Sequence, residues 1–140
     1  MGFELSERSL RNLEGVHPDL VEVVKLAIQV TTIDFAVIEG LRTIQRQTMK
    51  SKHIDGLAVD LMAYIGDRAT WEITVYDDIA DAMKIAAQEL NVPIRWGGAW
   101  QIDNIADWDG TMQNAMDDYV DLRRSQGKRP FIDAPHFELP

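Results

Sequence analysis

Apolar positions follow helical spacing early in the chain and then switch to the short runs and alternation of strands. Leu20, Val23, Val24, Ala27 and Ile28 fall at i, i+3, i+4, i+7 and i+8, the stripe of a helix that packs on one side. Pro18 suits the opening position of that helix. Upstream, Ser6 before Glu7 and Gly15 after Glu14 predict a capped short helix over residues 7–14. Phe35-Ala36-Val37-Ile38, ended by Glu39-Gly40, is short enough to favour a strand. Over residues 57–63 the pattern alternates, with Leu57, Val59, Leu61 and Ala63 on one face and Asp60 on the other. Val75, Ile79, Met83, Ala86, Ala87 and Leu90 return to helical spacing and predict a helix over 74–90. Asn91-Val92-Pro93 stops it before a strand at Ile94-Arg95-Trp96, and Gly97-Gly98 turns the chain. Residues 103–110 read as a polar loop and 112–124 as a helix; Gly127 and Pro130 precede a last strand over 131–139.

Helices first, then strands interspersed with helices, with no internal repeat, predict an α+β fold. The expected architecture is a small, largely antiparallel sheet with helices packed on one side. At 140 residues the chain fits one domain, residues 1–140. The formal charge of -9 opposes nucleic acid as a partner, because phosphate binding draws on clustered Lys and Arg. No apolar run approaches the roughly 20 residues that span a bilayer, so stable membrane association is not expected, and a monomer is. Met1-Gly2-Phe3-Glu4-Leu5 lacks the basic head and apolar stretch of a secretory signal, which points to synthesis in a cytoplasm. The acidic segment Asp103 to Asp109 and the pair Asp117-Asp118 read as solvated faces.

Zero cysteines leave His, Asp and Glu as the ligands for any metal, and only His17, His53 and His136 are available. His17 before Pro18 reads as a surface or capped histidine rather than a ligand. His53 stands in a turn-like segment with Asp60 six residues on in a strand, and Gly56 lets the chain fold back between them. Asp133-Ala134-Pro135-His136 supplies a second carboxylate–histidine pair, with His136 and Glu138 sharing a face of the following strand. Two imidazoles and one carboxylate would form a three-ligand zinc site with a fourth position for water, in a cleft on the sheet. Spacing alone leaves this and unrelated surface histidines both open.

Ser51-Lys52-His53 with Gly56 and Ala58-Val59-Asp60, then Trp96-Gly97-Gly98-Ala99-Trp100, then Asp133-Ala134-Pro135-His136-Phe137-Glu138-Leu139, resembles the VanY-like D-alanyl-D-alanine carboxypeptidase family. Within it the chain is most similar to phage endolysins of the L-alanyl-D-glutamate peptidase type. The likeness extends upstream through His17-Pro18-Asp19-Leu20, Asp34-Phe35 and Glu39-Gly40-Leu41-Arg42-Thr43. The resemblance implies Zn2+ held by His53, Asp60 and His136, with Asp133 as general base and then acid. It also implies Arg42 as the partner of a substrate carboxylate and Trp100 on the cleft wall. The segment from Ile44 to Lys50 is shorter than the glycine-containing loop of relatives, and either Gln47 or Ser51 takes the substrate-binding role of their counterpart. An ordinary reading of Asp133, a carboxylate that merely orients His136, stands beside the catalytic one, with Glu138 as rival for either task.

What the resemblance implies is a zinc peptidase acting on the peptidoglycan stem peptide at the L-Ala–D-Glu bond. Such a protein is made in the host cytoplasm and reaches the wall after a separate protein breaches the membrane. A D,D-carboxypeptidase or D-Ala-D-Ala dipeptidase of the same fold is the alternative, since Arg42 would serve either substrate carboxylate. A zinc-stabilised binding module without catalysis is a third reading.

Overall fold

The computed structural model describes residues 2–41 and 51–140. Helices α1 (Glu7–Asn12) and α2 (Pro18–Val30) precede strands β1 (Asp34–Glu39), β2 (Ala58–Ile65) and β3 (Arg68–Thr70). Helix α3 (Ile73–Leu90), strand β4 (Arg95–Trp96), a 3-10 turn at Ile105–Asp107, helix α4 (Met112–Ser125) and strand β5 (His136–Glu138) complete the order. The sheet runs β1-β2-β5-β4 with β3 also on β2, and every pairing among the described residues is antiparallel. The expected α+β class is what forms. Among the described residues no helix is long and apolar enough to cross a membrane.

Period-two alternation decides which way the sheet faces. Phe35, Val37, Val59, Leu61, Ala63, Trp96 and Phe137 are all buried and join the α2 stripe Leu20, Val23, Val24, Ala27 and Ile28 in one core. Burying each such large side chain stabilises by about 1.5–3 kcal/mol, so register and face are strongly set. Helix α1 covers the β1 edge. Ser9 Oγ accepts the Val37 N–H at 3.0 Å, and Asn12 Nδ2 donates to the Val37 carbonyl at 2.8 Å, which satisfies edge groups that would otherwise recruit another strand. His17 is the N-cap of α2, its Nδ1 accepting the Asp19 N–H at 3.1 Å.

Four elements differ from expectation. Helix α1 ends at Asn12, with Leu13 as its C-cap, before Gly15 is reached. The buried face of α3 is the predicted one at Ile79, Met83, Ala86 and Ala87, widened by Tyr76 and Ala80, whereas Leu90 at its end is 38% exposed. Tyr76 joins that face because its hydroxyl bridges two strands, accepting the Ala63 N–H at 3.1 Å and donating to the Thr70 carbonyl at 2.9 Å. Strand β2 continues past Ala63 to Ile65 and returns through the two-residue turn Gly66-Asp67 as β3, an unanticipated hairpin. The last strand covers only His136–Glu138 instead of 131–139. Pro135 cannot donate to a ladder, and residues before it dock elsewhere: the Asp133 N–H bonds the Gly97 carbonyl at 2.8 Å, and Trp96 Nε1 donates to the Ala134 carbonyl at 2.7 Å.

Candidate metal centre

The register of β2 on β5 sets Asp60 directly opposite His136, and alternation turns both away from Val59, Leu61 and Phe137 to the open face of the sheet. The two side chains meet there, His136 Nδ1 lying 3.1 Å from Asp60 Oδ1. His53 arrives from the turn that precedes β2. In that turn Ser51 Oγ accepts the His53 N–H at 3.2 Å, and Gly56 adopts a left-handed φ of 72°. A Cβ at Gly56 would lie 2.4 Å from the Gly15 carbonyl oxygen, so a side chain there would push the turn off its seat. The Gly56 carbonyl also accepts the His17 N–H at 2.8 Å, fastening the turn to the α1–α2 connection.

His53 Nδ1 lies 2.9 Å from the Gly40 carbonyl oxygen. A carbonyl only accepts, so Nδ1 carries the proton and Nε2 turns toward Asp60 Oδ2, 3.3 Å away. The ligand atoms of His53, Asp60 and His136 all lie within 4.8 Å of one another, and both imidazoles are buried. The far side of the His136 ring is also engaged: Nε2 lies 2.8 Å from Glu138 Oε1. Besides Asp60, it is thus Glu138, rather than Asp133, whose carboxylate is hydrogen-bonded to His136.

Burial by itself would raise the Asp60 pKa, but hydrogen bonds and charge from His136 and His53 hold it well below the ordinary carboxylate range. Burial works against protonated imidazoles, yet the hydrogen bonds to Asp60 and Glu138 outweigh it and raise His136 to about 9. His53 is raised by the same contest, with Asp60 and the Gly40 carbonyl prevailing over burial and the His136 charge. Glu138 is lowered, because His136, Lys52 and Arg95 overcome its burial. Asp133 moves the other way. Its burial and the nearby Asp60 charge raise it, against the opposing pull of His136 and His53. Asp60 and Asp133, beside the same pair of imidazoles, therefore take opposite protonation tendencies, a separation that marks a candidate functional site.

Asp133 reaches this position through its own turn. Its carbonyl accepts the His136 N–H at 3.0 Å, and the turn lies so close to Gly97 that a Cβ there would sit 2.2 Å from the Asp133 carbonyl oxygen. Trp100 stands beside the site with its ring centroid 5.7 Å from that of His136, stacked on Phe131 at 6.3 Å. The Arg95 guanidinium lies 5.1 Å from the Trp100 centroid and donates to the Trp100 carbonyl at 2.5 Å. Arg95 and Lys52 escaped the sequence reading. Their one signal was position, Arg95 in a predicted strand beside the Gly-Gly turn and Lys52 next to a candidate ligand. Arg42 and Gln47 lie outside the described residues.

Two imidazole nitrogens and a carboxylate with no thiolate are the donor set of a three-ligand catalytic zinc site, and the Gly40 bond already presents the free His53 nitrogen to it. The residues present thus fit a divalent metal. A group of three residues that could hold a metal ion, presented by an antiparallel sheet with the raised carboxyl of Asp133 beside it, defines the class of site. The chain belongs to the phage L-alanyl-D-glutamate peptidase family, whose profile matches residues 1–140. It is 29% identical over 153 aligned residues to the L-alanyl-D-glutamate peptidase of Escherichia phage T5, covering 99% of either chain. The crystal structure of Serratia marcescens L-Ala D-Glu endopeptidase ChiX superposes with a TM-score of 0.72 and 32% identity, over 99% of this chain and 91% of that one.

Proposed function

We propose that this protein is a zinc-dependent endolysin that hydrolyses the L-Ala–D-Glu bond of the peptidoglycan stem peptide. The observation that carries the reading is the meeting of His53, Asp60 and His136 beside Asp133, in a chain of this family. A zinc ion held by those three residues supplies an activated water and a Lewis acid for the scissile carbonyl. Asp133 takes a proton from the attacking water and returns it to the leaving amine, a role that suits a half-buried carboxyl whose pKa is raised by burial and by the Asp60 charge. Trp100, half-buried against Phe131 and His136, forms the wall along which the stem peptide lies. Ser51 frames the His53 turn at the substrate rim. Arg42 holds the free α-carboxylate of the D-glutamate, a role for which its planar fork is suited. The protein acts as a monomer, made in the host cytoplasm and working on the wall once the membrane is permeabilised.

The test is mass spectrometry of products after zinc-loaded protein meets purified Gram-negative peptidoglycan. Stem peptides beginning at D-Glu, with L-Ala left on the sugar, are expected. An Asp133→Ala control should retain zinc and lose about 10²–10⁴ in rate. Release of terminal D-Ala alone would move the assignment to a D,D-carboxypeptidase. Zinc-bound, folded protein with no product would favour a binding module.

A further inference from the structure

The His136 imidazole is held from both sides. Nδ1 faces Asp60 at 3.1 Å and Nε2 faces Glu138 at 2.8 Å. Only Nδ1 is directed at the group formed with His53, so the contact to Glu138 does a separate task. Glu138 is two residues on from His136 in β5, on the same face, and is buried. Its other oxygen lies 3.8 Å from Lys52 Nζ, and Lys52 donates to the neighbouring Leu139 carbonyl at 2.8 Å. Arg95 stands directly across the ladder from Glu138 in β4. A buried carboxylate with a cation on each flank is stable as an acceptor and does not stray toward the metal group.

We infer that Glu138 is a positioning residue: it accepts a hydrogen bond from the His136 Nε2–H and so keeps that proton in place, leaving Nδ1, beside Asp60, as the nitrogen that gives up its proton to a metal. Lys52 adds a second connection. It immediately precedes His53 in the chain, so the segment that delivers one ligand also braces the carboxylate that orients the other. The two halves of the site, residues 51–60 and 136–139, are tied through Lys52 and Glu138 as well as through Asp60. A carboxylate behind a ligating imidazole fixes ring orientation and increases ligand basicity, and losing it costs 10–100-fold in metal affinity in general. This inference rests on the metal site proposed above.

The experiment measures zinc affinity of the full chain by competition with a chromophoric chelator, for wild type, Glu138→Ala, Glu138→Gln and Lys52→Met. Glu138→Ala is expected to bind zinc about 10–100-fold more weakly, and Glu138→Gln, which keeps an acceptor oxygen, to recover most of that loss. Lys52→Met should lie between wild type and Glu138→Ala. A long-range ¹H–¹⁵N spectrum of zinc-loaded wild type should show the His136 proton on Nε2. Wild type that binds no zinc overturns this inference together with the metal site. Tight wild-type binding with unchanged affinity in folded Glu138→Ala overturns this inference alone. Should Glu138→Ala not fold, the wild-type spectrum decides, because a proton on Nδ1 overturns the inference without any variant.

Discussion

Asp77 offers a test of the packing that is independent of the metal centre. It sits on the buried face of α3, only 9% exposed, and its Oδ1 has no hydrogen-bond partner among the described residues. Burial, then the charges of Asp81 and Asp78 on its own helix and of Asp117 on α4, raise its pKa from 3.8 to about 6. Between those values the folded protein binds more protons than the unfolded chain, so stability falls as pH rises. The Asp77 contribution is fully present below 3.8 and is lost as pH passes through about 6. At 1.36 kcal/mol per pKa unit the full loss is about 3 kcal/mol. An Asp77→Asn protein escapes the ionisation but still buries a polar group, so it should gain roughly 1–3 kcal/mol over wild type at pH 8. For a chain of this size that is a thermal midpoint higher by roughly 3–10 °C. Near pH 4 the advantage should vanish. Calorimetry of both metal-free proteins across pH 4–8 is the assay, and the difference between them cancels the titrating groups that do not interact with Asp77. A gain that does not change with pH, or a wild type more stable than the variant at pH 8, would refute the reasoning.

Other consequences concern the site. Gly97→Ala places a Cβ 2.2 Å from the Asp133 carbonyl oxygen, so the 131–135 turn must move. Peptidoglycan hydrolysis should fall at least about tenfold, more than zinc affinity does, because displaced catalytic groups cost rate steeply; undiminished turnover would contradict the docking role of Gly97. Metal uptake should release protons, since His136 is raised to about 9 and holds its proton at neutral pH until a metal displaces it. Apparent zinc affinity should therefore climb by up to about tenfold per pH unit between pH 6 and 8, and calorimetry in buffers of different ionisation enthalpy should count about one or more protons released. An affinity flat across that range would count against His136 as a ligand.

Much of the chemistry was legible before any tertiary information. The helical stripe of α2 and the alternation of residues 57–63 are local periodicities, and they correctly set Asp60 apart from Val59 and Leu61. The strand parity that groups His136 with Glu138 also held, and the two side chains touch. The left-handed φ at Gly56 was foreseeable because a turn that reverses direction favours a residue without a Cβ. The β2–β3 hairpin carried a usable signal in Gly66-Asp67, but its second strand is three residues long and too short for its own periodicity to register.

What only the tertiary structure decided involves partners far apart in the chain. Residues 131–135 have the composition of a strand entrance, yet Trp96 and Gly97 draw them out of the ladder through bonds that no local pattern encodes. Likewise, the sequence offered Asp133 and Glu138 as rivals for contact with His136, and the pleat settled it in favour of Glu138, two residues along the same face. The gathering of Lys52, Arg95 and Trp100 around that pair follows from strand order β2-β5-β4, which brings three distant segments side by side. The sequence by itself determined which residue types are present and which face each takes, because side-chain direction repeats with the backbone. Which of them meet was decided by register and loop docking, because those depend on packing summed over the whole core.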